Sequence, residues 1–426
     1  MKTENIRADE LNEEYLSIKH NSGLQIMFFP KRGFSKSYAV FAAKYGSIDN
    51  VFKTSEDQSE ITVPEGIAHF LEHKLFEGEK GNAMVRFAKT GASPNAFTSF
   101  DKTAYLFSCT DKFYESLEIL LDFVQSPYFT EESVKKEQGI IEQEISMYND
   151  DADWRVFFNL LKAAYVAHPV RVDIAGSTQT IAEITPDLLY KCYNTFYNLS
   201  QMVLCICGDL SLEEIIKIAD KALKPSKPVE VERKYPEETE KIAQKRITQK
   251  LHISVPLYNI GIKDNIKELN GYEYAKRKAA TDILLEMIIG ESSNLYVSLY
   301  EKGLVNLNFS ADFLLSESFG IAAIGGESHN PDEVYTELFK EIERIKKEGL
   351  NEKDFERCKK TIYGRMLRRF NGVENLANDL IICYFIKAGL FDFIKAYKEI
   401  DLAYANERLN TFFKEENSVI SIIEAS

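Results

Sequence analysis

His69, Glu72 and His73 stand at positions i, i+3 and i+4 of the segment GIAHFLEHKLFE. On a helix the two imidazoles project from one face about a turn apart. At that spacing, two neutral histidines can grip one tetrahedral Zn²⁺ at about 2.0–2.1 Å. Glu72 leans toward the same face and can reach a water beside the metal without itself occupying the metal. The chemistry such a set supports is Lewis-acid activation of water with a carboxylate base alongside. A catalytic zinc site wants three protein ligands and an open position, so a third ligand must come from another element. The helical pattern from about Glu131 to Tyr148 offers Glu137, Glu142 and Glu144. Glu137 and Glu144 are two turns apart and share a face, whereas Glu142 points elsewhere. Spacing leaves Glu137 and Glu144 as equal candidates, one as ligand and the other as a carboxylate orienting a histidine. A lone histidine in an apolar helix is ordinarily a core residue, but this pair comes with a glutamate and downstream carboxylates.

The elements that must position these groups are short β-type runs alternating with longer helical patterns. YLSIK, then LQIMFFP after the turn signal Asn21-Ser22-Gly23, then SYAVFAAKYG read as strands. The His-x-x-Glu-His segment reads as a helix with Pro64 near its start, where proline is tolerated. AFTSFDKTAYLFSCT (96–110) is strand-like, and FYESLEILLDFVQS (113–126) is an amphipathic helix. The helix of the candidate carboxylates opens at Thr130, with Glu132 and Ser133 in its first turn. QMVLCICGDL (201–210) reads as a buried strand before another helix.

The chain has 426 residues, which at roughly 100–200 residues per domain predicts two domains or more. A hydrophobic fraction of 45% with 28% charged residues belongs to a globular protein and excludes a disordered chain. Lys and Arg number 52 against 66 Asp and Glu, a net charge of −14 that repels phosphate backbones and anionic lipid. Nucleic acid and membrane are therefore not expected as partners. No stretch approaches the ~18 apolar residues of a membrane span, and the N-terminal residues lack a signal-peptide pattern. The six scattered cysteines, without CxxC spacing, read as core thiols. The expected compartment is the cytoplasm.

Residues 224–247 carry Pro225, Pro228 and Pro236 among dense mixed charge, the composition of a solvated linker. That predicts a domain over 1–223 and another over 248–426. The two halves echo each other at an offset of about 212–221 residues: FTEESVKKEQGIIEQEI (129–145) lines up with LNEKDFERCKKTIYGRM (350–366). In the second copy His69 becomes Ile283, His73 becomes Met287 and Glu144 becomes Arg365. The chemistry is expected in the first copy alone.

The run GIAHFLEHKLFEGEKGNAMVRFAKTGASPNAFTSFDKTAYLFS and the later FVQSPYFTEESVKKEQGIIEQEISMYNDDADWR carry a wider resemblance. Over essentially its whole length the chain resembles the pitrilysin–insulinase–mitochondrial processing peptidase family of inverted-motif zinc metallopeptidases. It is most similar to the short bacterial two-domain members. The resemblance implies an α+β fold of two homologous domains, each a mainly antiparallel sheet packed with helices, forming a clamshell half-chamber. It implies Zn²⁺ held by His69, His73 and Glu144, with Glu137 as the outer carboxylate and Glu72 as the catalytic base of peptide hydrolysis. It also implies that Asn95 and Ala96, in Asn-Ala-Phe-Thr, begin an edge strand that binds substrate by strand addition, and that His168, Pro169 and Gly176 are structural. One stretch departs from the family pattern. Where relatives carry an Arg and a Tyr that hold substrate, this chain has Tyr300 and Asn306. The implied function is a zinc metalloendopeptidase acting on peptides or unfolded segments. It would be the zinc-bearing subunit of a heterodimer with a sister chain, or failing that of a homodimer. A non-catalytic peptide-binding or assembly subunit is the alternative.

Overall fold

The computed structural model describes residues 1–57, 59–79, 81–266 and 268–425. It is an α+β protein whose chain divides into two units. Unit 1 comprises Met1–Ile145, Asp173–Tyr235 and Arg369–Phe385; unit 2 comprises Ser146–Val172, Pro236–Arg368 and Ile386–Ser426.

Unit 1 is built on a seven-stranded sheet of β1 (Lys2–Ala8), β2 (Glu13–Lys19), β3 (Gln25–Pro30), β4 (Ser37–Ala43), β5 (Ser93–Thr98), β6 (Thr103–Cys109) and β7 (Met202–Gly208). Their order is β1-β2-β3-β7-β4-β6-β5, antiparallel throughout except for β7 against β3. The unbroken apolar runs of β4 and β7 are buried at every position, as strands covered on both faces must be. Unit 2 holds a five-stranded sheet of β8 (Arg246–Leu251), β9 (Leu257–Asp264), β10 (Ser310–Leu315), β11 (Gly320–Glu327) and β12 (Ser418–Ala425), in the order β8-β12-β9-β11-β10. Here β8 and β12 are the parallel pair. The run β3-β7-β4-β6-β5 of unit 1 thus recurs in unit 2 with the same order and the same strand directions.

The helices that bear on the site are, in chain order, α1 (Ile67–Leu75), α2 (Phe113–Val124), α3 (Glu131–Asp150), α4 (Ala152–Ala164), α5 (Gly271–Ile289), α6 (Glu352–Arg369) and α7 (Val373–Phe385). The domain limits expected from the sequence are corrected at this level. Helix α4, although within residues 1–223, packs on β12, β9 and β8 of unit 2. Asn159 Nδ2 donates to Gln249 Oε1 at 2.8 Å and Tyr165 Oη to the Gly320 carbonyl at 2.7 Å. Gly261 permits the close approach, since a Cβ there would stand 3.0 Å from Leu160 Cδ1. In return α7, from the second half of the sequence, packs on β7, β4 and β3 of unit 1. The apolar faces of these two helices show in the sequence that they are buried, but not against which sheet.

Residues 224–247 are also not one solvated linker. Val231–Arg233 forms a strand paired with Val51–Thr54. Arg233 and Tyr235 both reach the buried carboxylate of Asp49, at 3.2 Å and 2.7 Å. A buried carboxylate needs such partners, and they pin the connector down. Strand β1 was likewise not foreseen, because its exposed, charged sequence lacks apolar alternation. All six cysteines are free and buried.

Candidate metal centre

The helix carrying His69, Glu72 and His73 starts abruptly. Gly66 precedes it at φ 87°, and a Cβ there would lie 2.4 Å from the Ala175 carbonyl oxygen; at Gly176 a Cβ would lie 2.6 Å from that of Glu65. Only glycines let these two backbones touch, which fixes the first turn of α1 against the 173–178 segment. Ile67, Ala68, Phe70, Leu71 and Leu75 are buried, and α1 rests on β5 and β6. Helix α3 is anchored by reciprocal bonds: Thr130 Oγ1 accepts from the Ser133 amide and Ser133 Oγ from the Thr130 amide, at 3.2 and 3.1 Å. Val134, Ile141 and Ile145 are its buried apolar positions, with Glu137 buried among them.

These elements bring three ligand atoms together. Glu144 Oε2 lies 3.7 Å from His69 Nε2 and 3.4 Å from His73 Nε2. Among the described residues, His69, His73 and Glu144 are the one group of His, Cys, Asp or Glu whose ligand atoms, all within 4.8 Å of one another, could hold a metal ion. Tetrahedral bonds of about 2.0–2.1 Å put ligand atoms about 3.4 Å apart, so the set fits zinc in donor chemistry and in reach. Glu137 takes a different place. Its Oε1 accepts from His73 Nδ1 at 3.0 Å, which turns the Nε2 lone pair of His73 toward Glu144. Among the described residues, the buried Nδ1 of His69 has no hydrogen-bond partner.

Burial, followed by the proximity of His73, pushes the His69 pKa down to about 3, so the ring is neutral and has a lone pair to give. At His73 burial also opposes the charged form, but the bond to Glu137 and the charges of Glu144 and Glu72 outweigh it and raise the pKa. Glu72 is pushed up by burial and held back by a 2.6 Å hydrogen bond that its Oε2 accepts from Thr98 Oγ1. Thr98 was missed as a contributor from sequence. Its signal lies in its place at the end of the strand holding Asn95 and Ala96.

That strand, β5, is the edge of the unit 1 sheet. Asn95 is exposed on it and Ala96 partly so, opposite Leu106 and Tyr105 of β6. Asn95 Oδ1 accepts from the Ala96 amide at 2.9 Å. Neither is among the residues grouped at the metal centre; they share the strand with Thr98. His168 caps the turn Pro169–Arg171 by accepting from the Val170 amide, and belongs to unit 2. Tyr300 is half exposed at the end of a helix, and Asn306 Nδ2 donates to Glu327 Oε2 at 2.5 Å.

Comparison with known proteins places this geometry in a family. Residues 58–178 match the family model described as insulinase (peptidase family M16), and residues 183–362 match the one described as the peptidase M16 inactive domain. The chain is similar to the uncharacterized zinc protease YmfH of Bacillus subtilis, 42% identical over 93% of each chain. It is also similar to the crystal structure of an M16-like peptidase from Alicyclobacillus acidocaldarius, with a TM-score of 0.93 and 36% identity over 100% of this chain and 99% of the other. A more distant likeness, 30% identity over 37% of this chain and 35% of the relative, is to the mitochondrial-processing peptidase subunit beta of Caenorhabditis elegans.

Proposed function

Since the chain belongs to the insulinase family, peptidase family M16, we propose that it is a zinc-dependent metalloendopeptidase that hydrolyses peptides or unfolded segments. The observation that carries this reading is the convergence of His69 Nε2, His73 Nε2 and Glu144 Oε2 on the helix face that also carries the half-buried carboxylate of Glu72. Those three atoms would hold Zn²⁺. Bound there with an open position, the ion supplies Lewis-acid polarisation of the scissile carbonyl and lowers the pKa of a water toward neutrality.

The remaining steps belong to side chains. Glu72, one oxygen tied to Thr98, has its other oxygen free to take a proton from the attacking water and deliver it to the leaving amine. Burial, by raising its pKa, makes the proton it takes easier to keep until the amine needs it. Glu137 orients the His73 ring, and the Asn95–Ala96 edge aligns the peptide main chain by strand addition. The six free, buried cysteines are in keeping with work in a reducing compartment, and we place the protein in the cytoplasm.

The partner reading follows from Tyr300 and Asn306. Without the Arg and Tyr that hold substrate in relatives, unit 2 positions a peptide poorly, and positioning is a large part of catalysis. A sister chain of the same family would supply them, with a homodimer as the fallback; one relative, the mitochondrial-processing peptidase subunit beta, is itself named as a subunit. Glu72→Gln tests the enzymatic reading. The variant is expected to keep zinc and lose hydrolysis of a quenched peptide library. Wild-type rates from it would overturn the assignment of the base.

A further inference from the structure

Lys74 follows His73 in sequence and is fully buried, the least expected place for a strongly hydrated ammonium. Its Nζ lies 2.5 Å from Glu77 Oε2 and 3.8 Å from Glu137 Oε2. Glu77 is in turn reached by Lys136 Nζ at 3.4 Å from its other oxygen. Glu137 is also buried, and its Oε1 is the atom that accepts from His73 Nδ1. One carboxylate therefore faces an ammonium on one oxygen and the ring of a candidate zinc ligand on the other. The hydrogen bond from His73 Nδ1 directs Oε1, while the ammonium, hydrogen-bonded to Glu77 and too far from Oε2 for a hydrogen bond, biases the rotation of the Glu137 carboxylate by its charge alone.

The second unit shows what happens without them. At the offsets that pair His73 with Met287 and Glu144 with Arg365, Lys74 corresponds to Ile288 and Glu137 to Cys358, both buried. The same pair of helices thus packs with an apolar residue where Lys74 stands. A lysine is not needed there to assemble the frame. It occurs in the copy that has histidines to orient.

We infer that Lys74 is a positioning residue for the metal centre: its buried charge fixes the Glu137 carboxylate, and through it the tautomer and ring orientation of His73. The inference rests on the zinc reading above and concerns affinity for the ion rather than the chemical step. Carboxylates that orient a ligating histidine are typically worth about 10–100-fold in metal affinity. Loss of the charge that holds such a carboxylate should cost a large part of that.

The test is a double-mutant cycle read by competition for zinc against a chelator, with no activity assay involved. Lys74→Met is expected to weaken zinc binding by about tenfold in the wild-type background and by less than about twofold in Glu137→Gln. An equal loss in both backgrounds, or none in either, overturns the inference. Should Lys74→Met not fold, Lys74→Met with Glu77→Leu removes the ion pair, whose glutamate is about a third exposed, as a unit and is read the same way. If neither folds, Lys74 serves folding and the inference is wrong. Wild-type protein that takes up no zinc would overturn the metallopeptidase reading itself. Zinc bound equally by wild type and variants would overturn the role of Lys74 alone.

Discussion

The helix pair α1/α3 of unit 1 and the helix pair α5/α6 of unit 2 are two uses of one frame. In unit 1 two carboxylates, Glu72 and Glu144, meet two imidazoles: Glu144 Oε2 lies 3.7 Å and 3.4 Å from the two Nε2 atoms, and Glu72 Oε2 accepts from Thr98 Oγ1. In unit 2 the glutamate is kept, as Glu286, but Arg365 stands where Glu144 would be and binds it through Nη1 at 2.6 Å and Nη2 at 3.4 Å. Ile283 and Met287 replace the histidines. Negative charge in a half-buried site must be balanced. Unit 2 balances it with its own guanidinium, whereas unit 1 gathers two imidazoles and two carboxylates around a point where a cation would do so. All three ligand positions change in unit 2, and the Glu-to-Arg reversal also places a fixed positive charge where a metal would sit.

Matched substitutions should split the two copies most widely at the glutamate they share. Glu72→Gln is expected to lower peptide hydrolysis by about 100- to 10,000-fold, the range typical of a lost general base. Glu286→Gln is expected to leave it within about twofold. Equal losses at the two positions, measured as kcat/KM on one fluorogenic peptide, would erase the distinction between the units.

The next effect separates the two carboxylates of α3. Glu144→Gln is expected to weaken zinc binding more than Glu137→Gln, whose loss should cost about 10–100-fold. Metal content after dialysis against a graded series of chelator concentrations ranks them, and the opposite order would mean that the two roles are exchanged. A smaller effect is expected at Thr98→Val, which deletes the 2.6 Å hydrogen bond to Glu72. A bond to a charged group is worth about 1.5–3 kcal/mol, and at the lower end of that range, suited to a half-buried group, kcat should fall about tenfold with KM nearly unchanged. A change in KM alone would place Thr98 in substrate binding instead.

The smallest effect tests the closed copy. Arg365 is more than half exposed, so solvent screens its pair with Glu286, and Arg365→Ala should cost about 1 kcal/mol of stability or less, with hydrolysis unaffected. Calorimetry and the same peptide assay read both numbers. A large loss of activity would mean that unit 2 takes part in the chemistry.

Much of this was legible from residue spacing. The i, i+4 histidines, the shared face of Glu137 and Glu144 and the repeat at about 212–221 residues are periodicities, and periodicity is local. Spacing could not say which glutamate faces both Nε2 atoms and which reaches Nδ1, because that depends on how α3 lies against α1. Nor could it assign α4 and α7 to the opposite units: an apolar helix face states that it is buried, not which sheet covers it. Val231–Arg233 read as linker because the Asp49 carboxylate that anchors the connector is about 180 residues away in sequence. The burial of Lys74 has no signal in residue spacing, since Glu137, which it faces, is on another helix.

Zinc content per chain tests the central claim most directly. Wild-type protein dialysed against a mild chelator should retain one zinc per chain, and His73→Ala, which removes one of three ligands, should retain none while still folding. Retention of zinc by His73→Ala, or of two zinc ions by the wild type, would contradict a single metal centre built by His69, His73 and Glu144 in unit 1.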